Sequence, residues 1–525
     1  QQIQWRPTGT YPGNVLLQYS SNGVNWTDIG LASAGNNNVT QSYNWTMPDV
    51  IGDTLQVKVG TQTNQSTIEV NDTSNATFKI KGSVQVTLPN GNEIWYVNDT
   101  SRQIKWNAVG TVTPVKIEYS TNNGGNWILI SDNFTGIEGA NTYNWTPVPD
   151  LKSEEMLVRV SDNRTAFSSE VTDSSNATFS VRPVINVTEP AAGDNVRVDS
   201  TTTPIRWTYT GTQLASVNVE YSDNGGVNWT SIETGVAASS GSTYVWPQVP
   251  VVKTSNAKVR VYDSTNPSIV GASSNFNIVG KLQLSIPTDG SQSWEILSNA
   301  SSFIVWNATA VNTMNVYYST NGSSGPWTYS QSVNATAGSY AWDVPAVVTN
   351  NARIKIADAT NENVTFDISA NDFKLVEKFN VTAPTNGVIL VANQTFDINW
   401  TRKSPTALTA VNLYFYNGSA YSLIAANVSN SGTYMGWLVP DTVISSFCKV
   451  KVENPINANN YAESDNPFGI RGNITVTSPN IGTEQWDAGA TYPITWNYVG
   501  PIQNVTIQYS SNSTDGPWDT LIGRT

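Results

Sequence analysis

Histidine is absent from this chain, and cysteine occurs once, at Cys448. Without His, the commonest general base and metal ligand is missing. A single Cys excludes a disulfide framework, a Cys-based zinc site and a CxxC redox motif. Within FCKVKV the thiol reads as a buried strand residue rather than a nucleophile. Basic residues are also short: 27 Lys and Arg stand against 40 Asp and Glu, for a formal charge of −13. That balance argues against nucleic acid and anionic membrane as partners. No run approaches the roughly 18 apolar residues of a membrane helix, so no membrane insertion is expected of this stretch. No carboxylate pair, Ser nucleophile or phosphate loop repeats or stands in a distinctive context. The reading is therefore no enzyme, no catalytic residue and no bound cofactor.

What is abundant is repetition. The stretch 84–127, VQVTLPNGNEIWYVNDTSRQIKWNAVGTVTPVKIEYSTNNGGNW, returns in altered form at 185–229, 282–327, from Phe379 and from Ile474. The first residues, IQWRPTGTYPGNVLLQYSSNGVNW, are the same unit without its opening strand. One landmark Trp per unit gives the period: Trp5, Trp106, Trp207, Trp306, Trp400 and Trp496. A spacing near one hundred residues is the size of a small domain and too long for a solenoid repeat. The expected domains are 1–82, lacking its first strand; 83–182; 183–280; 281–377; 378–472, a degenerate copy; and 473–525, the N-terminal part of a further copy.

Inside each unit, short runs rich in Val, Ile, Thr, Tyr and Trp alternate with Asn, Gly, Ser and Pro clusters, which is strand-and-turn chemistry. In VKIEYS, Val115, Ile117 and Tyr119 fall on one face and Lys116, Glu118 and Ser120 on the other. That period of two predicts a half-buried strand. About seven short strands per unit and no convincing helix give an all-β fold: a tandem array of immunoglobulin-like or fibronectin-III-like β-sandwiches. The joints FKIKGSVQV, FSVRPVINV, FNIVGKLQL, FKLVEKFNV and FGIRGNITV leave two or three residues between units. Such linkers are not random-coil tethers. They predict a rod lengthened by roughly 35–45 Å per domain if the strands lie along its axis. Both ends read as cut from a longer array; strand donation between open ends is the rival reading.

The strongest chemical signal is N-glycosylation. N-x-S/T sequons stand at Asn25, Asn38, Asn44, Asn64, Asn71, Asn75, Asn98, Asn133, Asn144, Asn163, Asn176 and Asn186. They continue at Asn228, Asn299, Asn307, Asn321, Asn334, Asn363, Asn380, Asn393, Asn399, Asn417, Asn427, Asn473, Asn504 and Asn512. Chance in so Asn- and Thr-rich a chain gives on the order of half as many. Several recur at one repeat position, as NAT (Asn75, Asn176), NWT (Asn25, Asn228) and YNWT (Asn44, Asn144). Covalent N-glycans imply a secretory route and a hydrophilic coat; the competing reading is that polar strand faces simply favour Asn and Thr.

Two further series carry weaker signals. The landmark Trp residues and Trp45, Trp145, Trp246, Trp342 and Trp437 read as core. Trp26, Trp127, Trp229, Trp327 and Trp518 follow a turn and read as packing or as a sugar-stacking platform. The unit at 378–472 has no Trp there. Asp72, Asp173, Asp372 and Asp465 recur before the final strand as candidate calcium ligands, with Asx turns as the ordinary explanation. No Lys recurs before the landmark Trp, where Gln4, Lys105, Arg206, Val305, Asn399 and Thr495 stand, so an intramolecular Lys–Asn crosslink is not supported.

The run VT-x-P-N-x-G-x-E-x-W…IxW…VxIEYS…W…YxW-x-x-P…VRVSD…F-x-I resembles the domain of the Ser/Thr-rich glycosylphosphatidylinositol-anchored cell-wall family. That domain is similar to the N-terminal part of yeast cell-wall synthesis proteins and appears as tandem repeats in microbial surface proteins. The likeness spans the chain, closest at 84–181 and 474–518 and weaker at 379–470, where NGVIL replaces NGxExW and Tyr421 lies near the expected Trp. It implies a β-sandwich at a cell surface or wall and brings no catalytic residues; no anchor signal is visible, so the lipid anchor is not carried over. The expectation is a non-enzymatic, glycosylated extracellular stalk, sheath or filament. Its partners would be neighbouring copies of itself, with a cell-wall or surface glycan as a further one. Alternatives are an adhesin or carbohydrate-binding array, and the stalk of a larger surface enzyme.

Overall fold

A computed structural model describes residues 1–64, 67–239, 241–299, 303–385, 387–404, 406–512 and 514–521, with backbone alone at 62–64 and 67–69. The protein is all-β, a tandem array of β-sandwiches; the one helix among the described residues is a 3-10 turn at Ala335–Ala337. The contacts form two compact units. One holds Gln1–Val196, Ser200–Val249 and Thr254–Asn277; the other holds Arg197–Asp199, Pro250–Lys253 and Ile278–Thr525.

The stretch 83–182 shows how the repeat motif folds. Ser83–Leu88 pairs antiparallel with Gln103–Val109, which pairs with Gly139–Asn144, making a three-stranded sheet. The facing sheet runs Ile128–Phe134, Val115–Ser120, Ser153–Asp162, Phe179–Arg182 and Ile94–Tyr96, with Thr172–Ser174 on the side of Ser153–Asp162. The expected seven strands are nine here, because the opening strand is split between the sheets and a three-residue strand precedes the last. The PNGNE sequence makes that crossing. The Glu93 carboxylate accepts the Asn90 and Gly91 amides, each at 2.8 Å, and clasps the corner. Gly91 sits at φ 134°, and a Cβ there would meet Ala177 at 2.7 Å, so glycine is required twice over. Beyond the corner, Ile94–Tyr96 joins Phe179–Arg182 in parallel and drops Trp95 into the core.

Trp95 lies 5.8 Å from Trp145, edge to face, and 5.1 Å from Phe179. Such pairs add about 0.5–1.5 kcal/mol beyond their area, and removing a ring of this size from a core costs about 3–5 kcal/mol. Residues 281–377 repeat the arrangement with Trp294, Trp342 and Phe373, and 378–472 with Leu390, Trp437 and Phe468. Trp106, Trp207, Trp306 and Trp400 are buried as expected; Trp5 and Trp496 are half-buried. A cleft of about 420 Å³ lined by Ile3, Tyr11, Val57, Val59 and Asp72 lies beside Trp5.

The alternation expected of VKIEYS holds only in part. Val115 and Ile117 are buried, but so are Glu118 and Ser120. Glu118 is covered on the outer face by Lys116 and Arg159, which bridge it at 2.6 and 2.7 Å. Ser120 is buried because it closes the following turn, accepting the Gly124 amide at 2.9 Å while Asn122 accepts the Asn126 amide at 2.8 Å. The pair Ser222–Asn224 does the same at the next repeat.

Candidate functional site

The sequon asparagines sit on strand edges, outer faces and turn tips. Every one with a described side chain is exposed except Asn399 and Asn417, which are half-buried; the side chain of Asn64 lies outside the described residues. The chain does bury asparagines: Asn141, Asn430 and Asn454 are almost fully enclosed. None of these three begins a sequon. Asn141 donates to the Ile137 and Gly139 carbonyls, and Asn430 donates to the Leu408 carbonyl and accepts the Trp400 indole N–H at 2.8 Å. Buried Asn thus satisfies backbone, as buried polar groups must, while sequon Asn faces solvent.

The four calcium candidates do not occupy one repeat position. Asp173 lies opposite Val160, and its carboxylate accepts the Val86 amide at 2.8 Å, pinning the opening strand. The residue doing this at 281–377 is Asp367, on the Leu284 amide at 2.7 Å. Asp372 lies five residues further on and is salt-bridged by Arg353. Asp465 is exposed next to Ser464, and Asp72, equivalent to Asp173 and opposite Val59, lines the cleft by Trp5. The acidic residue nearest the final strand is Asp372, whereas strand register selects Asp367, opposite Ile356 as Asp173 is opposite Val160. Among the described residues no three acidic or sulfur side chains gather around a metal-sized site.

Three of the five turn tryptophans are neither core nor free platform, while Trp327 is half-buried and Trp518 is exposed. Trp26 lies under Lys58 at 4.1 Å, Trp127 under Arg159 at 4.2 Å and Trp229 under Arg260 at 4.4 Å. The cation comes from the long central strand, two places across the sheet from the strand that the Trp leads into, and each cation–π pair is worth about 0.5–1 kcal/mol at such exposure. At 378–472 the register puts Tyr421 in the Trp position and Lys451 in the Arg position, 4.8 Å apart. Tyr414 and Tyr416 stand where Glu118 and Ser120 stand, so this outer face carries tyrosines instead of an ion pair and a turn cap.

The joints hold a second set of residues that composition did not reveal. The residue before each long central strand is Ile51, Lys152, Lys253, Val348 and Ile444. It reaches into the following repeat. Ile51 packs on the core of 83–182 and Val348 on that of 378–472. Lys152 Nζ meets Asp263 at 2.7 Å and Thr265 at 3.0 Å; Lys253 Nζ meets Asp358 at 2.6 Å and Thr360 at 2.7 Å. The buried acceptor ends the following repeat's long strand: Asp162, Asp263, Asp358 and Asn454 in turn. Its charge follows the residue that reaches it. Lys faces Asp twice; Val348 precedes neutral Asn454; after Ile51, Asp162 is paired by Arg164 of its own repeat at 2.5 Å. Burial pushes the Asp263 and Asp358 carboxyls up, but the Lys ammonium and the Thr donors outweigh it and hold both below the usual carboxylate range. Two further latches tie the corner residues: Asp49 accepts the Thr111 amide at 2.7 Å, and Asp150 accepts the Thr212 hydroxyl at 2.8 Å.

No family model and no curated protein matches the chain. Among solved structures, the tetra-tandem repeat in the extending region of a large adhesion protein aligns at 16% identity over 73% of this chain and 99% of its own, with a TM-score of 0.21. Sidekick-1 immunoglobulin domains 1–5 align at 8% identity over 89% and 95%, with a TM-score of 0.17. The fibronectin(III)-like modules of Clostridium thermocellum CbhA align at 19% identity over 37% and 92%, with a TM-score of 0.14.

Proposed function

We propose that this chain is a non-enzymatic structural repeat protein of an extracellular microbial surface, N-glycosylated along its sandwiches and serving as part of a stalk, sheath or filament. The observation that carries the reading is the partition of asparagine: sequon residues face solvent, and the enclosed Asn141, Asn430 and Asn454 stand outside sequons. Glycans on such positions add bulk without displacing core. The joint between 83–182 and 183–280 supports a load-bearing role, since Lys152 and the buried Asp263 form a charged pair across it where a loose tether would make none. No helix among the described residues is long and apolar enough to cross a membrane. Neighbouring copies in a filament or layer are the proposed partners.

The test is location on intact source cells. Antibodies to the chain should label the outer surface, and external protease should remove the epitope without lysis. Labelling only after permeabilisation would overturn the proposal. A second reading, attachment to glycan, is favoured by one specific surface.

A further inference from the structure

The repeat at 378–472 departs most from its neighbours in sequence, yet it keeps a closed core, and one outer sheet face carries a cluster of the departures. Across that face run Tyr461 and Glu463, then Lys451 and Lys449, then Tyr414 and Tyr416, then Tyr421 and Leu423, each set on the next strand of one sheet. The Lys451 ammonium sits among three rings, 4.4 Å from Tyr414, 4.8 Å from Tyr421 and 5.3 Å from Tyr461. Tyr421 lies 4.9 Å from Tyr416 and reaches over the sheet to donate its hydroxyl to Glu463. Tyr421 remains 41% exposed and Tyr461 50%. A ring buried for stability would be covered; these are held in place from beneath and left open above.

We infer that this tyrosine face binds a neutral polysaccharide, its pyranose rings stacking on Tyr421 and Tyr461. Charge selects the occupant. Lys451 is paired with Glu453 at 2.7 Å and Lys449 with Glu463 at 3.3 Å, so the face offers rings and polar rims but no uncompensated charge to attract a phosphate, an acidic chain or a basic peptide. The apolar face of a pyranose meets an aromatic ring, and its hydroxyls meet the tyrosine hydroxyls and the paired carboxylates at the rim. The rings are also fixed beforehand by the lysine and by Glu463, which lowers the cost of ordering them on binding. The equivalent faces of 83–182 and 183–280 lack this property: there a single Trp is capped by Arg159 or Arg260.

The test is affinity electrophoresis of the full chain, made without glycans, through gels containing soluble β-1,3-glucan, α-mannan or glycol chitin. Retardation by at least one polysaccharide is expected. It should weaken about tenfold in Y421A and vanish in Y421A/Y461A, while Y96A, at an exposed ring on an edge strand of another repeat, behaves as the parent. Protection of Cys448 from a thiol reagent shows that the altered repeat is still folded; Y421F and Y461F, which keep the rings, should retain most binding. Absence of retardation by all three polymers, or retardation untouched in the folded double variant, overturns the inference. Because the probe is sugar-free chain, this outcome is independent of whether the sequons carry glycan.

Discussion

If Lys253 and Asp358 form a matched joint, the two residues must be changed together to be changed cheaply. Asp358 is 1% exposed, and its carboxylate also accepts the Thr360 amide at 3.0 Å and hydroxyl at 2.8 Å. Removing one partner of a fully buried pair costs about 3–5 kcal/mol. Here Thr360 stays and the lysine is one-third exposed, so Lys253→Val should cost about 2–3 kcal/mol. Asp358→Asn alone leaves an ammonium facing an amide and should cost about 1–2 kcal/mol. The double variant recreates the pairing of Val348 with Asn454 and should cost under about 1 kcal/mol, a coupling of at least ~2 kcal/mol. The assay is native-state hydrogen exchange of the full chain at the Asp358 amide, which donates to the Thr365 carbonyl at 2.8 Å. Lys253→Val should speed that amide roughly 30- to 150-fold, and the double variant less than about 5-fold. Additive effects in the double variant would refute the matched-joint reasoning, as would a single variant that exchanges like the parent.

Three further outcomes are expected. Asp263 and Asp358 have depressed carboxyl pKa values, so their stabilisation is complete above the unfolded value of about 3.9 and is lost as pH falls through the folded value; the melting-temperature gap between the parent and Asp358→Asn should be the same at pH 7 and 5 and shrink only below about pH 4. Glu377 is fully buried, and burial together with the Glu295 carboxylate raises its pKa although the Lys403 and Ser404 amides lower it. A raised acid costs stability above its folded pKa, so Glu377→Gln should melt at or above the parent at pH 7 and lose that advantage as pH falls; a lower melting temperature at pH 7 would contradict this. Cys448 is fully buried, and burial pushes its thiol up, so a thiol reagent should leave it untouched in native protein and titrate it fully in denaturant; rapid native labelling would show the core of 378–472 to be open.

The sandwich was legible because its signals are local. Period-two strands, NNGG turns and a recurring Trp depend on near neighbours, and they gave the sheets and the buried Trp series. Long-range partners were less legible. Nothing in VKIEYS announces that Glu118 is enclosed, since Arg159 and Lys116 cover it from an adjacent strand and from its own. The turn Trp reads from sequence as packing or a platform, because its cation partner lies some thirty residues further along, as with Trp127 and Arg159. The Asp series is not legible from nearness to the last strand, because Asp367 and Asp173 share a strand register while Asp372 is the acid next to Phe373. The joint pairs, about one hundred residues apart, show in the sequence only once Lys152 and Lys253 are read against Asp263 and Asp358 by strand end.

The central claim is a glycan-clad surface array, and the intact mass of the native purified protein, with glycopeptide mapping, tests it most directly. The account predicts a mass well above the 56.9 kDa of the polypeptide, with sugar on exposed sites such as Asn25, Asn75, Asn176 and Asn228. Bare asparagine at nearly every sequon would contradict it.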